Sequence, residues 1–246
     1  MKLDLHYVDA RLVELYDLEN LRGADTEFYI RLAGELNAQK ILDLGCGTGS
    51  LTTELAILGR QVVGVDPSAA MLSVAKRHPN AARVEWREGD SSLLGAPHAD
   101  LVVMTGNVAQ VFLEDSDLNA TLQNIHAALR PGGYLAFESR NPEFKEWEQW
   151  NREATRAHLE SPFGPVECWL EGTCLRGDRV YTEGHNLFKE TGEVLVSSSE
   201  LRFRSGAELT ESLCRAGFIV QHVYGDWQLG PVVHNSRVMV FVVRRS

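Results

Sequence analysis

The chain has 246 residues, 44% hydrophobic and 24% charged, with a formal net charge of −10. That length and composition suit a soluble α/β unit with a modest insertion, and no apolar run approaches the roughly 20 residues of a membrane span. The acidic balance disfavours nucleic acid, whose binding rests on Lys and Arg against phosphates; the terminal Arg244-Arg245 reads as a solvated tail.

The opening MKLDLHYVDA has early acidic residues and no long apolar stretch, unlike a signal peptide. The segment up to about residue 36 reads as helical, with Asp25 as N-cap and Phe28, Leu32 and Leu36 on one face. From about 38 to 138, short apolar runs alternate with helical patterns, the sign of βαβ units and a parallel sheet. The expected strands are Ile41–Leu44, Val62–Val65, Val84–Trp86, Leu101–Met104 and Tyr134–Phe137. The expected helices are Leu51–Leu58, Ala69–Lys76 and Leu118–Leu129, the last ended by Arg130-Pro131-Gly132-Gly133.

From about 166 to 204 the texture changes to long extended runs, Val166–Leu175, Val180–Phe188 and Val194–Phe203. The turns Arg176-Gly177-Asp178-Arg179 and Glu190-Thr191-Gly192-Glu193 separate them. This predicts an inserted three-stranded antiparallel meander. Ser205-Gly206-Ala207-Glu208 is a capping box, followed by the apolar pair Leu209 and Leu213 and a stop at Gly217. Phe218–Tyr224 and Val238–Val243 are joined by about a dozen residues without a helical pattern, a short link that suits an antiparallel pair at the sheet edge. The fold expected is a Rossmann-like, doubly wound sheet of seven strands with the last antiparallel. Its organisation is a core over 1–139, an inserted lid over 140–204, and completion of the core over 205–246.

The loop Asp43-Leu44-Gly45-Cys46-Gly47-Thr48-Gly49 lies between a strand and a helix, where glycines allow a tight turn and close approach of a ligand. Three features separate it from a nicotinamide-binding loop. Its spacing is Gly-x-Gly-x-Gly, with Ser50 where the third dehydrogenase glycine belongs. Asp43 would repel a pyrophosphate but attract an ammonium. Asp66, at the end of the second strand, suits a ribose diol. An adenosine bearing a cationic amino acid fits this set.

The motif series ILDLGCGTG, VVGVDPSAAML, VEWREGDSSLL and PGG resembles the class I S-adenosylmethionine-dependent methyltransferases, strongly over 38–138 and topologically over 205–244. The resemblance implies S-adenosylmethionine as cofactor. Gly45, Gly47 and Gly49, with Cys46 among them, would line its methionine and ribose, and Asp43 would lie near the amino group. Asp66, followed by Pro67, would accept the ribose hydroxyls; Met71 would pack on adenine. Asp90 and Ser91, after Gly89, would meet the adenine amino group, and Met104, Thr105, Gly106 and Asn107 would face the sulfonium and acceptor. The residues also admit plainer readings: Asp66-Pro67 as a helix start, Met71 as core, Gly89-Asp90-Ser91 as a turn. The resemblance further implies an N-terminal segment folded over the cofactor, with Tyr16 a better candidate than Tyr7.

Methyl transfer from a sulfonium needs positioning and dryness more than a catalytic group. Asn141-Pro142-Glu143-Phe144 is similar to the Asn-Pro-Pro-Tyr tetrapeptide of nucleobase amino-methyltransferases, but it follows strand five instead of strand four and has Glu for the second Pro. The stretch instead marks the exit into the lid. Arg140 there either holds an acceptor carboxylate or pairs with a neighbouring Glu. Trp147 and Trp150, three apart, read as hydrophobic glue or as a cation-binding cage. His185 in the meander and His234 between the last strands are further candidates near the pocket, beside the plainer reading of solvated histidines.

The expected acceptor is a small molecule methylated on N or O. A protein or tRNA acceptor and a non-catalytic sensor are the alternatives. The four cysteines, Cys46, Cys168, Cys174 and Cys214, lack Cys-x-x-Cys spacing, which points to a reducing cytoplasm and no metal site. Exposed strand edges in the meander allow a homodimer.

Overall fold

The computed structural model describes residues 3–57, 59–95 and 98–246, apart from the side chain of Thr173. Two helices come first, α1 (Ala10–Glu19), capped by Asp9, and α2 (Ala24–Glu35). The predicted cap Asp25 sits inside the first turn of α2, and Gly23 is the N-cap without a side-chain bond. An acidic residue there favours the helix through its dipole, which explains why the sequence reads either way.

The alternation then runs β1 (Lys40–Leu44), α3 (Ser50–Leu55), β2 (Gln61–Asp66), α4 (Ala69–Ala75), β3 (Val84–Glu88), β4 (Ala99–Met104), α5 (Asp115–Ala128) and β5 (Leu129–Arg140). The predicted end of α3 at Leu58 lies outside the described residues, and the helix itself stops at Leu55. The helix α5 ends before the Pro-Gly-Gly, because Leu129 already pairs with Ala99 as strand.

After a chain of short turns come α6 (Arg152–Thr155), β6 (Ala157–Ser161), β7 (Gly164–Arg176), β8 (Arg179–Phe188) and β9 (Val194–Arg202). The chain returns through α7 (Gly206–Arg215), β10 (Phe218–Tyr224) and β11 (Val238–Arg245). The capping box of α7 is formed in both directions, and Gly217 leaves the helix at φ +91°.

The main sheet has the order β10-β11-β5-β4-β1-β2-β3, with β11 antiparallel to both of its neighbours. Both faces are covered, as a parallel sheet requires. Val102 and Met104 point into the layer with α5 and α7, around Leu122, Ile125 and Leu213. Leu101 and Val103 point to the opposite layer, around Phe28, Leu32 and Leu55. The chain runs out of β4 and β5 at the same end of the sheet, and there the site is built.

The inserted sheet has four strands, β6-β7-β8-β9, where the sequence predicts three. The extra strand pairs Ser161 with Gly164 across a tight turn at Pro162-Phe163. It is short and mostly exposed, with Leu159 its only partly buried apolar residue, so it carries no readable alternation. Leu12 and Leu15 of α1 pack on this sheet through Val166 and Phe188. Trp147 and Trp150 both meet Phe203, at ring separations of 4.6 and 6.1 Å, so they act as glue at the base of the sheet. Arg202 and Arg204 latch the sheet to the start of α5 through Asp115 at 2.9 and 3.0 Å. No helix among the described residues is long and apolar enough to cross a membrane.

Candidate active site

The glycine loop turns on three left-handed residues, Gly45 (φ +75°), Gly47 (φ +54°) and Gly49 (φ +76°), for two different reasons. A Cβ on Gly45 would lie 2.6 Å from Val108, and one on Gly49 would lie 2.4 Å from Trp86. Nothing lies within 4 Å of a Cβ on Gly47, which borders an open cavity. The first and third glycines therefore serve packing, and the second leaves room for a ligand.

That cavity, of about 600 Å³, is lined by Gly45, Gly47, Asp66, Pro67 and Met71 on one side. Gly89, Asp90, Ser91 and Thr105 continue the wall, and Tyr7 and Tyr16 from the N-terminal segment close it. Sequence reasoning missed Asp117, Thr121 and Asn124 of α5, which form the far wall; Asn124 donates to Ser91 Oγ at 3.0 Å. The helical pattern around them could have placed that face, but not its proximity to Ser91. Four expected residues do not border the cavity. Gly49 is the N-cap of α3, Met104 is core, Cys46 is half-buried with its thiol pushed up by burial, and Asp43 lies beneath the loop.

Asp43 is 1% exposed; its Oδ2 accepts from Thr52 Oγ1 at 2.6 Å, while its Oδ1 is buried without a partner. Burial raises this carboxyl to about 7. Asp66 accepts from the Gly47 N–H and the Ser68 N–H, both at 2.8 Å, so one carboxylate sets the loop against the start of α4. Burial raises its pKa above the ordinary value, against the pull of those two amides. Asp66 is not the helix cap the sequence suggests: Ser68 Oγ accepts from Met71 N–H and caps α4. Met71 is 1% exposed and also borders the cavity, so its packing and site readings coincide.

The cavity wall carries Asp66, Glu88, Asp90 and Asp117, with no Lys, Arg or His among its described residues. Such a wall rejects a pyrophosphate and suits a ligand of positive charge. Together with the unpartnered Asp43 oxygen, this fits a cationic sulfonium nucleoside with an ammonium group.

A second cavity, of about 450 Å³, opens between the ends of β4 and β5, α1 and the inserted sheet. It shares Tyr7, Tyr16, Gly106 and Val111 with the first, so the two spaces meet at those four residues. The Tyr16 hydroxyl lies 3.8 Å from where a Gly106 Cβ would stand. Burial raises Tyr16 to about 12, so it meets the junction as a neutral hydroxyl. Asn107 and Arg140 border this second cavity at the strand ends, and His185 borders it from the inserted sheet.

Arg140 takes the plainer of its two readings. Its Nε donates to Glu146 at 2.8 Å and its Nη1 to Gln110 at 2.9 Å. His185 stacks on Trp169 with ring centroids 4.8 Å apart, and its Nε2 is buried without a hydrogen bond, 3.5 Å from Glu183. His234 is exposed and borders neither cavity, because the loop carrying it folds back beside β10 and β11. Asn141, opening the Asn-Pro-Glu-Phe stretch, is buried, and its amide donates to Ser236 O at 2.9 Å. Its role is structural. Glu19, Trp169 and Asn186 also border the second cavity and were not singled out by sequence reasoning.

A methyltransferase-domain family model matches residues 41–133, the span from β1 into β5. The chain is 32% identical over 244 residues, 97% of each chain, to the cypemycin N-terminal methyltransferase of a Streptomyces species. Against other curated relatives, the chain spans a little under half their length, 45% and 44% for two methyltransferases at 34% identity. Among solved structures, the methyltransferase CcbJ of Streptomyces caelestis superposes with a TM-score of 0.78 at 23% identity, covering 96% of this chain and 97% of that one. CalS10 of Micromonospora echinaspora, an amino pentose methyltransferase with SAM bound, gives 0.68 at 20% identity over 95% and 96%. At those identities the two structures speak for the fold alone. The family model spans the glycine loop, the relative matched over 97% of both chains extends the likeness to the rest, and the protein belongs to the class I S-adenosylmethionine-dependent methyltransferases.

Proposed function

We propose that the protein transfers the methyl group of S-adenosylmethionine to a nitrogen or oxygen of a small acceptor held in the second cavity. The observation that carries this is the junction at Tyr7, Tyr16, Gly106 and Val111, where the anionic cavity and the acceptor-sized one share their walls. A volume of about 450 Å³ lies within the range of small-molecule sites.

In this reading Asp66 takes the ribose hydroxyls, Asp90 and Ser91 meet the adenine edge, and Asp43 serves the ammonium through the loop. The bound cofactor supplies a methyl carbon already activated by its sulfonium. The chain's share is to orient the acceptor at the junction and exclude water from it. Residues 140–204 act as the acceptor-side subdomain, and Asn107, in the loop after β4, borders the acceptor beside the junction. The full-length relative is named for methylating an N-terminus, which makes nitrogen the first atom to test. The four free cysteines suit a cytoplasmic enzyme, and the outer strands β6 and β9 offer edges for the self-association we infer.

Calorimetry with S-adenosylhomocysteine tests the cofactor half, and mass spectrometry of a mixed amine and alcohol panel incubated with S-adenosylmethionine tests the transfer. Absence of cofactor binding would remove the proposal.

A further inference from the structure

Glu19 ends α1 and faces the acceptor cavity one helical turn beyond Tyr16, on the same helix face. It is the one carboxylate among the described residues bordering that cavity. The other titratable groups around the space are His6, Tyr7, Tyr16, Arg140, Cys168 and His185. Among the described residues none of them forms an ion pair with Glu19. Arg140 is engaged by Glu146 and Gln110. Burial holds His6 below its ordinary value, and hence neutral, and keeps the two tyrosines protonated. The Cys168 thiol, pushed up to about 11 by burial, stays neutral and points its S–H at Ala157 O.

The hydrogen-bonding balance of the cavity points the same way. Four of its side-chain donors are already committed to the protein. Thr182 donates to Glu171 O, Ser197 to Gly184 O, Ser199 to Asp4, and the Trp169 indole to Glu171. Its acceptors are not: Asn107 Oδ1 and Asn186 Oδ1 are buried without partners. Asn186 is 3% exposed. Buried polar groups in this state are stabilised by whatever completes them. A ligand that meets Glu19 and these two amide oxygens brings N–H donors and a positive charge.

We propose that Glu19 anchors the methyl acceptor and takes its proton, and that the acceptor is a primary or secondary amine entering as its ammonium. This rests on the methyl-transfer reading above. In the proton step an N–H bond of the ammonium breaks, an O–H bond forms on the Glu19 carboxylate, and the electron pair stays on nitrogen as the attacking lone pair. The proton passes from Glu19 to water as the product leaves. A carboxyl lifted by burial to about 7 is matched to that exchange near neutrality.

The test is calorimetric titration of the protein loaded with S-adenosylhomocysteine, using matched pairs: phenethylamine against 2-phenylethanol, and glucosamine against glucose. At pH 8 the wild type is expected to favour the amine of at least one pair about tenfold or more, as a charge-assisted contact does. In Glu19→Gln the preference is expected to fall to within about twofold. S-adenosylhomocysteine affinity should stay unchanged, because Glu19 does not border the cofactor cavity. The wild-type preference should also shrink at pH 6, and this pH effect should vanish in Glu19→Gln, which separates Glu19 from His185. Equal binding of amines and alcohols, absence of amine binding, or a preference that survives in Glu19→Gln would overturn the assignment. Failure of the wild type to bind S-adenosylhomocysteine would strike the methyl-transfer reading instead.

Discussion

The Glu138 carboxylate accepts the backbone N–H of Asn107 at 2.7 Å, tying the end of β5 to the loop that leaves β4. Its other oxygen accepts from the Tyr29 hydroxyl of α2, and the whole side chain is 4% exposed. Asn107 is held there with φ +60°, a conformation that L-residues other than glycine rarely adopt. Glu138 thus shapes the junction from beneath without touching it. Glu138→Gln can keep its oxygen on Asn107 N–H only by turning its NH2 to Tyr29, whose hydroxyl then accepts and leaves its own proton without that acceptor. The expected cost is about 1–3 kcal/mol, read as a lower urea midpoint, with turnover falling further than S-adenosylhomocysteine affinity.

Asp66→Ala removes the acceptor for Gly47 N–H and Ser68 N–H together with the proposed ribose contact. Cofactor affinity should fall at least about tenfold. Calorimetry with S-adenosylhomocysteine checks this, and unchanged affinity would remove the ribose role.

Asp43 gives a signed pH effect. Its carboxyl is raised from 3.8 to about 7 because it is buried. Between those values the native chain keeps a proton that the unfolded chain has released. Stability therefore falls as pH rises through that window and flattens above about 7. Glu19, raised to about 7 as well, acts in the same direction. Denaturant midpoints from pH 4.5 to 8 should decline less steeply in Asp43→Asn than in the wild type, by the share that Asp43 contributes.

Asp115 pairs with Arg204, which is 2% exposed and keeps two further guanidinium nitrogens without partners. Asp115→Ala leaves that buried cation uncompensated. A fully buried pair broken in this way loses about 3–5 kcal/mol. About 2 kcal/mol is expected here, since Asp115 is itself largely exposed. Thermal denaturation measures it, and Arg204→Met in the Asp115→Ala background should recover part of the loss.

His234→Ala should leave turnover and cofactor affinity unchanged, because the residue borders neither cavity. A loss of activity in steady-state assays would mean that its loop moves onto the site during the reaction.

The parallel core was legible because its signals are local. Apolar runs such as Ile41–Leu44 have the length of buried strands, and glycines at 45, 47 and 49 punctuate the turn. Misreadings arose where several local signals competed. Asp25 and Asp66 both look like caps, and the structure gives those positions to Gly23 and Ser68. The strand β6 escaped because an exposed edge strand needs no apolar face. Glu19 was invisible for another reason: its surroundings exist only once α1 lies against β7, some 150 positions further along the chain.

The order of the main sheet bears on how the chain emerges from the ribosome. The strand β5 is flanked by β4 and β11, and residues 141–237 separate it from β11. Until β11 is synthesised, the apolar edge of β5 around Ala136 and Phe137 has a partner on one side only. The nascent chain therefore carries an unpaired strand through the whole making of the inserted sheet, the stage at which such edges recruit chaperones or neighbouring chains. Its last strand is the one that closes the core.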